Sequence, residues 1–250
     1  MLTQPLLEQL RQLRCFGMID ALKEQHNRTE IQSLSFEERL SFLLDREMLL
    51  RENRRIIAKL RQARLREQAC IEDIDYSATR GLSKMVIQQV ASCDWITRKE
   101  NILISGPTGT GKTYLACAFA NQACRMNFSA RYVRLPKLFQ TIDIAKADGS
   151  YTKLLAHIAK TPLLILDDWG VAPMTDSNRR DFLEIIDDRY KLSSTLITSQ
   201  LPVSLWHESI GDATLGDAIL DRLIHNAHRI ELTGDSMRKK KPNKLDKKEE

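Results

Sequence analysis

Eight residues near the middle of the chain follow the pattern G-x-x-x-x-G-K-T of a phosphate-binding P-loop. They are Gly106, Pro107, Thr108, Gly109, Thr110, Gly111, Lys112 and Thr113. Glycine lets backbone N–H groups turn inward around a polyphosphate, and the start of a following helix adds partial positive charge. Lys112 is expected to reach the β- and γ-phosphates, and the Thr113 hydroxyl to bind Mg²⁺. The pattern therefore predicts a nucleotide-binding site.

The segments on either side of the P-loop have the composition that such a site requires. Asn101–Ser105 is a short apolar run typical of a buried strand, and Tyr114–Ala123 has the composition and period of a helix. Strand, glycine loop and helix in this order distinguish a nucleotide site from a chance glycine-rich turn. The lead-in from Tyr76 to Glu100 often lies against the base in such proteins, but its residues do not identify the base.

Two carboxylates follow a second apolar run, Thr161–Leu166, which is typical of a fully buried parallel strand. In a doubly wound sheet the carboxyl end of such a strand lies next to the P-loop. Asp167 is predicted to hold Mg²⁺ through water, and Asp168 to polarise the attacking water. The alternative is a pair of capping acids that begins a loop.

A further predicted strand, Ser194–Ser199, ends in the polar residues Thr198, Ser199 and Gln200. A polar side chain at this strand end could contact the γ-phosphate or the attacking water, and a hydrogen-bonded turn is the alternative. Two more strands are predicted at residues 130–135 and 228–232. The alternation of strands and helices favours an α/β fold with a parallel sheet flanked by helices.

The first 70 residues differ from the rest of the chain. They contain no proline after Pro5 and a single glycine, Gly17, and their apolar residues recur at three- and four-residue spacing. This pattern predicts an all-helical segment. Ser35 and Glu38 have the spacing of a capping box at the start of its last helix.

The end of this helical segment is strongly basic. Between Arg46 and Arg66 there are eight basic and two acidic residues, an excess larger than the +5 of the whole chain. At helical spacing one face is apolar, formed by Leu49, Ile56, Leu60 and Ala63. The basic residues predicted to contact DNA are Arg51, Arg54, Arg55, Lys59 and Arg61. A solvated helix face is the alternative, but the guanidinium binds phosphate as a planar fork, so many arginines favour DNA contact.

The remaining composition restricts the class of protein. Five cysteines without a C-x-x-C pair indicate reduced thiols in a cytoplasmic protein, and no apolar run reaches the length of a membrane span. We therefore expect a cytoplasmic protein without a membrane partner.

Taken together, these features resemble an AAA+ ATPase of the DnaC/IstB branch, and more closely the IstB-type transposition helpers. The segments that carry the resemblance are the arginine-rich helix, the P-loop, Leu163–Gly170, Ile197–Gln200, Asp221–Leu223 and Gly234–Arg238.

The resemblance implies an AAA+ core behind an N-terminal all-helical domain. The expected domains are residues 1–70 for DNA or partner binding, residues 71–235 for ATP hydrolysis, and a basic tail over 236–250 that we expect to be disordered. It also implies ATP and Mg²⁺ as cofactors and ATP-driven assembly of a homo-oligomeric ring or spiral.

The roles expected for two arginines are implied by the resemblance alone. Arg222 resembles an arginine finger that completes a neighbour's site, with pairing to Asp221 or Asp217 as the alternative. Arg238 resembles a sensor-2 arginine, although no helical lid precedes it in the sequence. The full set predicted to take part in hydrolysis is Lys112, Asp168, Ser199, Gln200, Arg222 and Arg238.

The expected function is that of a regulator that oligomerises on duplex DNA of arbitrary sequence and delivers it to a partner transposase. Hydrolysis would reset the assembly. It is expected to be slow and stimulated by DNA or assembly, because Asp168 stands where many AAA+ proteins have glutamate. A helicase loader that acts with single-stranded DNA is the alternative, and a nucleotide-gated scaffold without useful hydrolysis is a third possibility.

Overall fold

The described part of the chain contains a parallel sheet with five strands. This computed structural model describes residues 3–28, 31, 33–76 and 80–237. The strands are β1 (Asn101–Ser105), β2 (Ala130–Arg134), β3 (Leu163–Trp169), β4 (Ser194–Ser199) and β5 (Ala227–Glu231). Their order across the sheet is β2-β3-β4-β1-β5, with parallel pairing throughout. The predicted α/β fold class is confirmed.

Helices cover both faces of this sheet. The helices of all the described residues, including those of the N-terminal segment, are α1 (Thr3–Gln12), α2 (Phe16–Asn27), α3 (Phe36–Ala63), α4 (Lys84–Ala91), α5 (Asp94–Thr97), α6 (Lys112–Arg125), α7 (Leu135–Ala147), α8 (Tyr151–Lys160), α9 (Asp176–Arg189), α10 (Trp206–Ile210) and α11 (Ala213–Ile224). Within the residues that are described, no helix combines the length and apolar character needed to cross a membrane.

Alternate side chains of the buried strands face two separate hydrophobic cores. In β1, Ile102 and Ile104 face the core that contains α6, whereas Leu103 faces the core that contains α7 and α9. This two-sided burial explains why the central strands read as continuous apolar runs. The parallel pairing of the strands brings the carboxyl ends of all five to one edge of the sheet.

The chain divides into two compact units, Met1–Ala58 and Lys59–Glu250. The division falls inside α3 rather than at the composition change near residue 70. Leu60, Ala63 and Leu65 pack against the core around α6, so the end of this helix belongs to the second unit. The assignment of residues 1–70 to DNA or partner binding stays a prediction, and Arg238 with the rest of the basic tail beyond Met237 lies outside the described residues.

The helical prediction for residues 1–70 needs two corrections. The chain leaves the helix after Ala63, where Arg64 has a left-handed φ of +52°, so residues 64–70 are not helical. Leu49, placed on the apolar face by its spacing, is exposed, and the neighbouring Glu47 is buried instead. The reason is that the Glu47 carboxylate accepts the N–H groups of Gly17 (2.6 Å) and Met18 (3.3 Å) at the start of α2.

The start of α3 follows its prediction. The Ser35 N–H donates to Glu38 Oε2 (2.8 Å), and the Glu38 N–H donates to Ser35 Oγ (3.2 Å). This reciprocal pair is a capping box, and it fixes the first turn of the helix.

Gly17→Ala tests the contact between α2 and α3. A Cβ at Gly17 would lie 2.6 Å from both Arg46 O and Glu47 Cα, so the two helices must separate. We expect a loss of about 1–3 kcal/mol in local stability, measured as hydrogen exchange at least about fivefold faster in peptides from α2. Lys23→Ala is the control, because this side chain is exposed on the same helix and its removal adds no atom to the contact. Unchanged exchange in α2 of Gly17→Ala would contradict this packing.

Candidate nucleotide-binding site

The P-loop leaves β1 and turns directly into α6. Gly106, Gly109 and Gly111 have φ values of +145°, +88° and +96°, which glycine alone adopts readily. Space also requires glycine at the first two positions. A Cβ at Gly106 would lie 2.3 Å from Leu232 O, and one at Gly109 would lie 2.1 Å from Ser236 Oγ. The loop therefore has the backbone that a phosphate cradle needs.

The segment that follows β5 holds this loop in place. The Leu232 N–H donates to Ser105 O (2.8 Å), and the Met237 N–H donates to Gly109 O (2.9 Å). On the opposite side, Thr108 Oγ1 donates to Gln200 Oε1 (2.8 Å) after β4. Gln200, predicted to contact phosphate or water, is thus brought to the P-loop.

The Lys112 ammonium lies inside the loop. It donates to Gly106 O (2.6 Å) and Pro107 O (2.7 Å). A phosphate oxygen would be a stronger partner than either carbonyl, because donor and acceptor would then both carry a full charge. The position of Lys112 suits the phosphate-binding role predicted from its place in the motif.

A second cation, Arg80, supports the loop from the lead-in segment. It is only 6% exposed, and its Nη1 and Nη2 donate to Thr110 O (3.2 Å) and Asp75 O (2.5 Å). Its Nε has no hydrogen-bond partner among the described residues. Sequence reasoning missed Arg80, since nothing in its spacing from the P-loop distinguishes it from other arginines.

Asp167 ends the apolar part of β3 and is buried, with 1% exposure. The Thr113 hydroxyl lies 3.1 Å from both of its carboxylate oxygens. The Tyr132 hydroxyl donates to Oδ2 (2.5 Å), and the Thr198 hydroxyl donates to Oδ1. The two predicted magnesium ligands, Thr113 and Asp167, are therefore brought together. Hydroxyl and carboxylate oxygens are the donors that Mg²⁺ prefers, so this pair fits the ion.

Tyr132 was not anticipated from the sequence. It lies on β2, and burial, together with its hydrogen bond to Asp167, raises the pKa of its hydroxyl above the usual range. The hydroxyl thus stays protonated and acts as a donor to the carboxylate. The period of β2 could have shown that Tyr132 faces inward, but only the pairing of β2 with β3 brings it to Asp167.

Asp168 has a different environment from its neighbour. Its φ of +67° is unusual for a residue other than glycine, and the β3–β4 register shifts between Leu166 and Trp169. This irregularity turns the Asp168 carboxylate away from the buried pair, and it accepts a hydrogen bond from Arg134 Nε (2.6 Å). Arg134, at the end of β2, is a further contact that sequence reasoning missed.

Ser199 forms a turn rather than an open contact. Its hydroxyl donates to Trp169 O (3.2 Å) and accepts the Leu201 N–H (3.0 Å), and the residue is 1% exposed. This is the hydrogen-bonded alternative for the end of β4. Its neighbour Thr198 reaches the site instead, through Asp167. A direct role of Ser199 in hydrolysis stays a prediction.

Arg222 lies far from the P-loop of its own chain. The Asn101 side chain at the start of β1 donates to Arg222 O (3.4 Å), whereas the P-loop follows the other end of that strand. Arg222 Nε donates to Asp187 Oδ1 (2.6 Å) on α9, so its partner is neither Asp221 nor Asp217. The predicted finger role stays a prediction, and it would require the site of another subunit.

The predicted DNA contacts do not share one environment. Arg51 pairs with Glu47 (2.6 Å), the Arg54 guanidinium lies 5.0 Å from the centre of the Phe16 ring, and Lys59 Nζ donates to Asn127 Oδ1 (2.6 Å). Arg55 and Arg61 are exposed.

A strand–P-loop–helix unit beside a strand-end carboxylate, in a parallel sheet of order β2-β3-β4-β1-β5, defines a P-loop protein of the AAA+ class. Within this class the chain belongs to the IstB-like ATP binding protein family, whose model matches residues 8–245. The chain is 47% identical to the insertion sequence ATP-binding protein y4pL of Sinorhizobium fredii, over 96% of this chain and 98% of the relative.

Two solved structures have a similar fold. The crystal structure of DnaI has a TM-score of 0.58 and 24% identity, over 66% of this chain and 92% of the other. That of the DnaC helicase loader has a TM-score of 0.55 and 20% identity, over 66% and 96%. At these identities the likeness concerns the fold alone.

Tyr132→Phe tests the support of Asp167. Removing the hydroxyl takes one donor from a buried carboxylate, so we expect the free energy of unfolding to fall by about 1–2 kcal/mol, measured by urea denaturation. Tyr190→Phe is the matched control, because the Tyr190 hydroxyl has no hydrogen-bond partner within the described ranges. Equal stability of Tyr132→Phe and the unmodified protein would rule out this support.

Proposed function

We propose that this protein is a DNA-dependent ATPase. Subunits carrying ATP and Mg²⁺ assemble on duplex DNA, deliver it to a partner transposase, and leave when ATP is hydrolysed. The observation that carries the proposal is the convergence of Lys112, Thr113 and Asp167 at the P-loop. The decisive measurement is whether nucleotide controls assembly on DNA.

ATP is supported as the ligand by the family and by the name of the relative y4pL. Thr113 and Asp167 would hold Mg²⁺, and Lys112 would bind the terminal phosphates. When bound, the ion would neutralise charge on the phosphates during transfer. The chain's own contribution is to hold these groups in a fixed arrangement, since Lys112 is hydrogen-bonded to the P-loop and Asp167 to hydroxyls from three separate elements.

Asp168 is the proposed residue that orients the attacking water. Its carboxylate is bound by Arg134 in this structure, and that ion pair restricts its movement. A carboxylate must be able to accept a hydrogen bond from water to act in this way. The pairing therefore supports slow basal hydrolysis that rises when assembly or DNA rearranges Arg134.

Arg222 is proposed to act on the neighbouring subunit. Its place at the amino end of β1 keeps it from its own phosphates, and its guanidinium is held at a partly exposed surface by Asp187. A positive charge supplied by a neighbour stabilises the transferring phosphoryl group and makes hydrolysis depend on assembly.

The comparisons favour transposition over helicase loading. The relative named for an insertion sequence matches almost the whole chain at 47% identity, whereas DnaC matches about two thirds of the chain at 20%. The exposed arginines of α3 support contact with a phosphate backbone, largely independent of base sequence. Competition between duplex and single-stranded DNA separates the two functions, because a loader of the alternative kind would prefer the single strand.

Asp168→Asn is expected to trap the assembly on DNA. The variant keeps the size of the side chain but loses the carboxylate, so ATP should bind while hydrolysis falls by about 10²–10⁴-fold. The measurement is the dissociation of a labelled duplex after excess unlabelled DNA is added in the presence of ATP. Lys112→Ala is the companion variant, and it should fail to assemble at all. Release from Asp168→Asn at the rate of the unmodified protein would show that hydrolysis is not the reset step, as in a nucleotide-gated scaffold.

A mixing experiment tests Arg222. Arg222→Ala and Asp168→Asn should each be inactive alone. In an equimolar mixture, about a quarter of the interfaces join an intact Asp168 site to an intact Arg222, so about a quarter of the activity should return. Phosphate release is measured at a fixed total protein concentration, with duplex DNA present. A mixture as inactive as its components would exclude action between subunits.

A further inference from the structure

A cation from outside the sheet reaches the buried carboxylate of Asp167. Arg66 follows the end of α3, in a segment that Leu65 and Ala69 anchor to the core around α6. Its Nη1 lies 3.8 Å from Asp167 Oδ2, and its guanidinium also contacts the Tyr132 hydroxyl. That hydroxyl donates to the same carboxylate oxygen. Arg66 and Tyr132 therefore act on one side of Asp167.

The position of Arg66 provides an opposite charge next to the buried carboxylate of Asp167. A buried carboxylate is costly unless an opposite charge balances it, and the hydroxyls of Thr113, Tyr132 and Thr198 are neutral. Within the described part of the chain, Asp167 forms its ion pair with Arg66. It balances the carboxylate from the solvent side, because the Arg66 side chain is 46% exposed whereas Asp167 is 1% exposed.

The same carboxylate is proposed to hold Mg²⁺ through water. A divalent ion and a guanidinium that share one carboxylate repel each other, and the ion carries the larger charge. The Arg66 contact is long, partly exposed and made by a flexible side chain, so it is the weaker of the two. Binding of Mg²⁺ with nucleotide should therefore displace Arg66 rather than be prevented by it.

We propose that Arg66 is a displaceable counter-charge of Asp167, which is released by magnesium and nucleotide and then binds the phosphate backbone of DNA. Arg66 continues the run of exposed arginines that includes Arg61 and Arg64, so its release adds a positive charge to a basic surface. The inference rests on the proposed function. It names the residue through which the nucleotide site and DNA affinity are coupled.

Thermodynamic linkage predicts two measurable effects, one of nucleotide on DNA binding and one of DNA on nucleotide binding. If nucleotide frees Arg66 for DNA, then DNA must favour binding of magnesium and nucleotide by the same factor. Removing the guanidinium should reduce both effects by the same factor. It should also strengthen magnesium-dependent nucleotide binding in the absence of DNA, because the competitor for Asp167 is gone.

Arg66→Gln is the test variant, and Arg64→Gln is the matched control. Both lose one positive charge from the same exposed segment, but Arg64 lies near the positive charge of Arg131, whereas Arg66 pairs with Asp167. Arg66→Lys keeps the charge. Two quantities are measured: the Mg²⁺ concentration for half-maximal binding of a fluorescent ATP analogue, and the affinity for a labelled duplex of arbitrary sequence with and without a slowly hydrolysed ATP analogue at one salt concentration.

For Arg66→Gln we expect the half-maximal Mg²⁺ concentration to fall about two- to fivefold, and the nucleotide stimulation of DNA binding to shrink by a similar factor. Arg64→Gln should weaken DNA binding equally with and without nucleotide and leave the Mg²⁺ dependence unchanged. Arg66→Lys should restore most of both effects. A merely structural role of Arg66 would weaken nucleotide binding instead.

An unchanged or weaker Mg²⁺ dependence in Arg66→Gln would overturn the competition at Asp167. Unchanged nucleotide stimulation of DNA binding would overturn the coupling. If the unmodified protein shows no such stimulation, the proposed function fails and the coupling fails with it. The Mg²⁺ measurement then still decides whether Arg66 competes at Asp167.

Discussion

The burial of one negative charge, on Asp167, governs the arrangement of this site. A carboxylate with 1% exposure loses several kcal/mol of hydration, and it is tolerated only where donors and a counter-charge surround it. Here the contacts come from four separate segments of the chain: Thr113 at the start of α6, Tyr132 on β2, Thr198 on β4, and Arg66 after α3. Each segment is therefore tied to the others through a single side chain.

The order of the strands makes this meeting possible. β3 lies between β2 and β4, so both neighbours can direct a hydroxyl at the residue that ends its apolar run. β1 lies beyond β4, and the P-loop that follows it brings Thr113 to the same edge. Register matters as much as order. Because side chains alternate along a strand, a slip of one residue between β2 and β3 would turn the Tyr132 hydroxyl to the other face of the sheet.

The parts of the site that the sequence revealed are those whose chemistry is local. The P-loop spacing and the apolar run before Asp167 are encoded within a few residues, and the alternation of strands and helices predicted the parallel sheet. Arg66, Arg80, Tyr132 and Arg134 were missed because their contacts depend on how distant segments pair. The same cause explains why Leu49 is exposed and Glu47 is buried. Helical spacing alone placed Leu49 in the interior, but the N–H groups at the start of α2 select the carboxylate as the buried group.

Counting basic residues therefore overstates the charge that α3 and the segment after it can offer to DNA. Arg51 forms an ion pair with Glu47, and the Arg54 guanidinium lies over the Phe16 ring. Lys59 donates a hydrogen bond to Asn127, and Arg66 forms an ion pair with Asp167. A cation that already has a partner must give up that contact before it neutralises a phosphate, so it adds less to affinity than a solvated one. The number of released counter-ions, read from the salt dependence of binding, reports how many of these contacts are exchanged for phosphate. An increase in that number on nucleotide binding would mean that the nucleotide site controls the charge available at the surface. A set of basic residues whose contacts do not change with nucleotide would show no such increase.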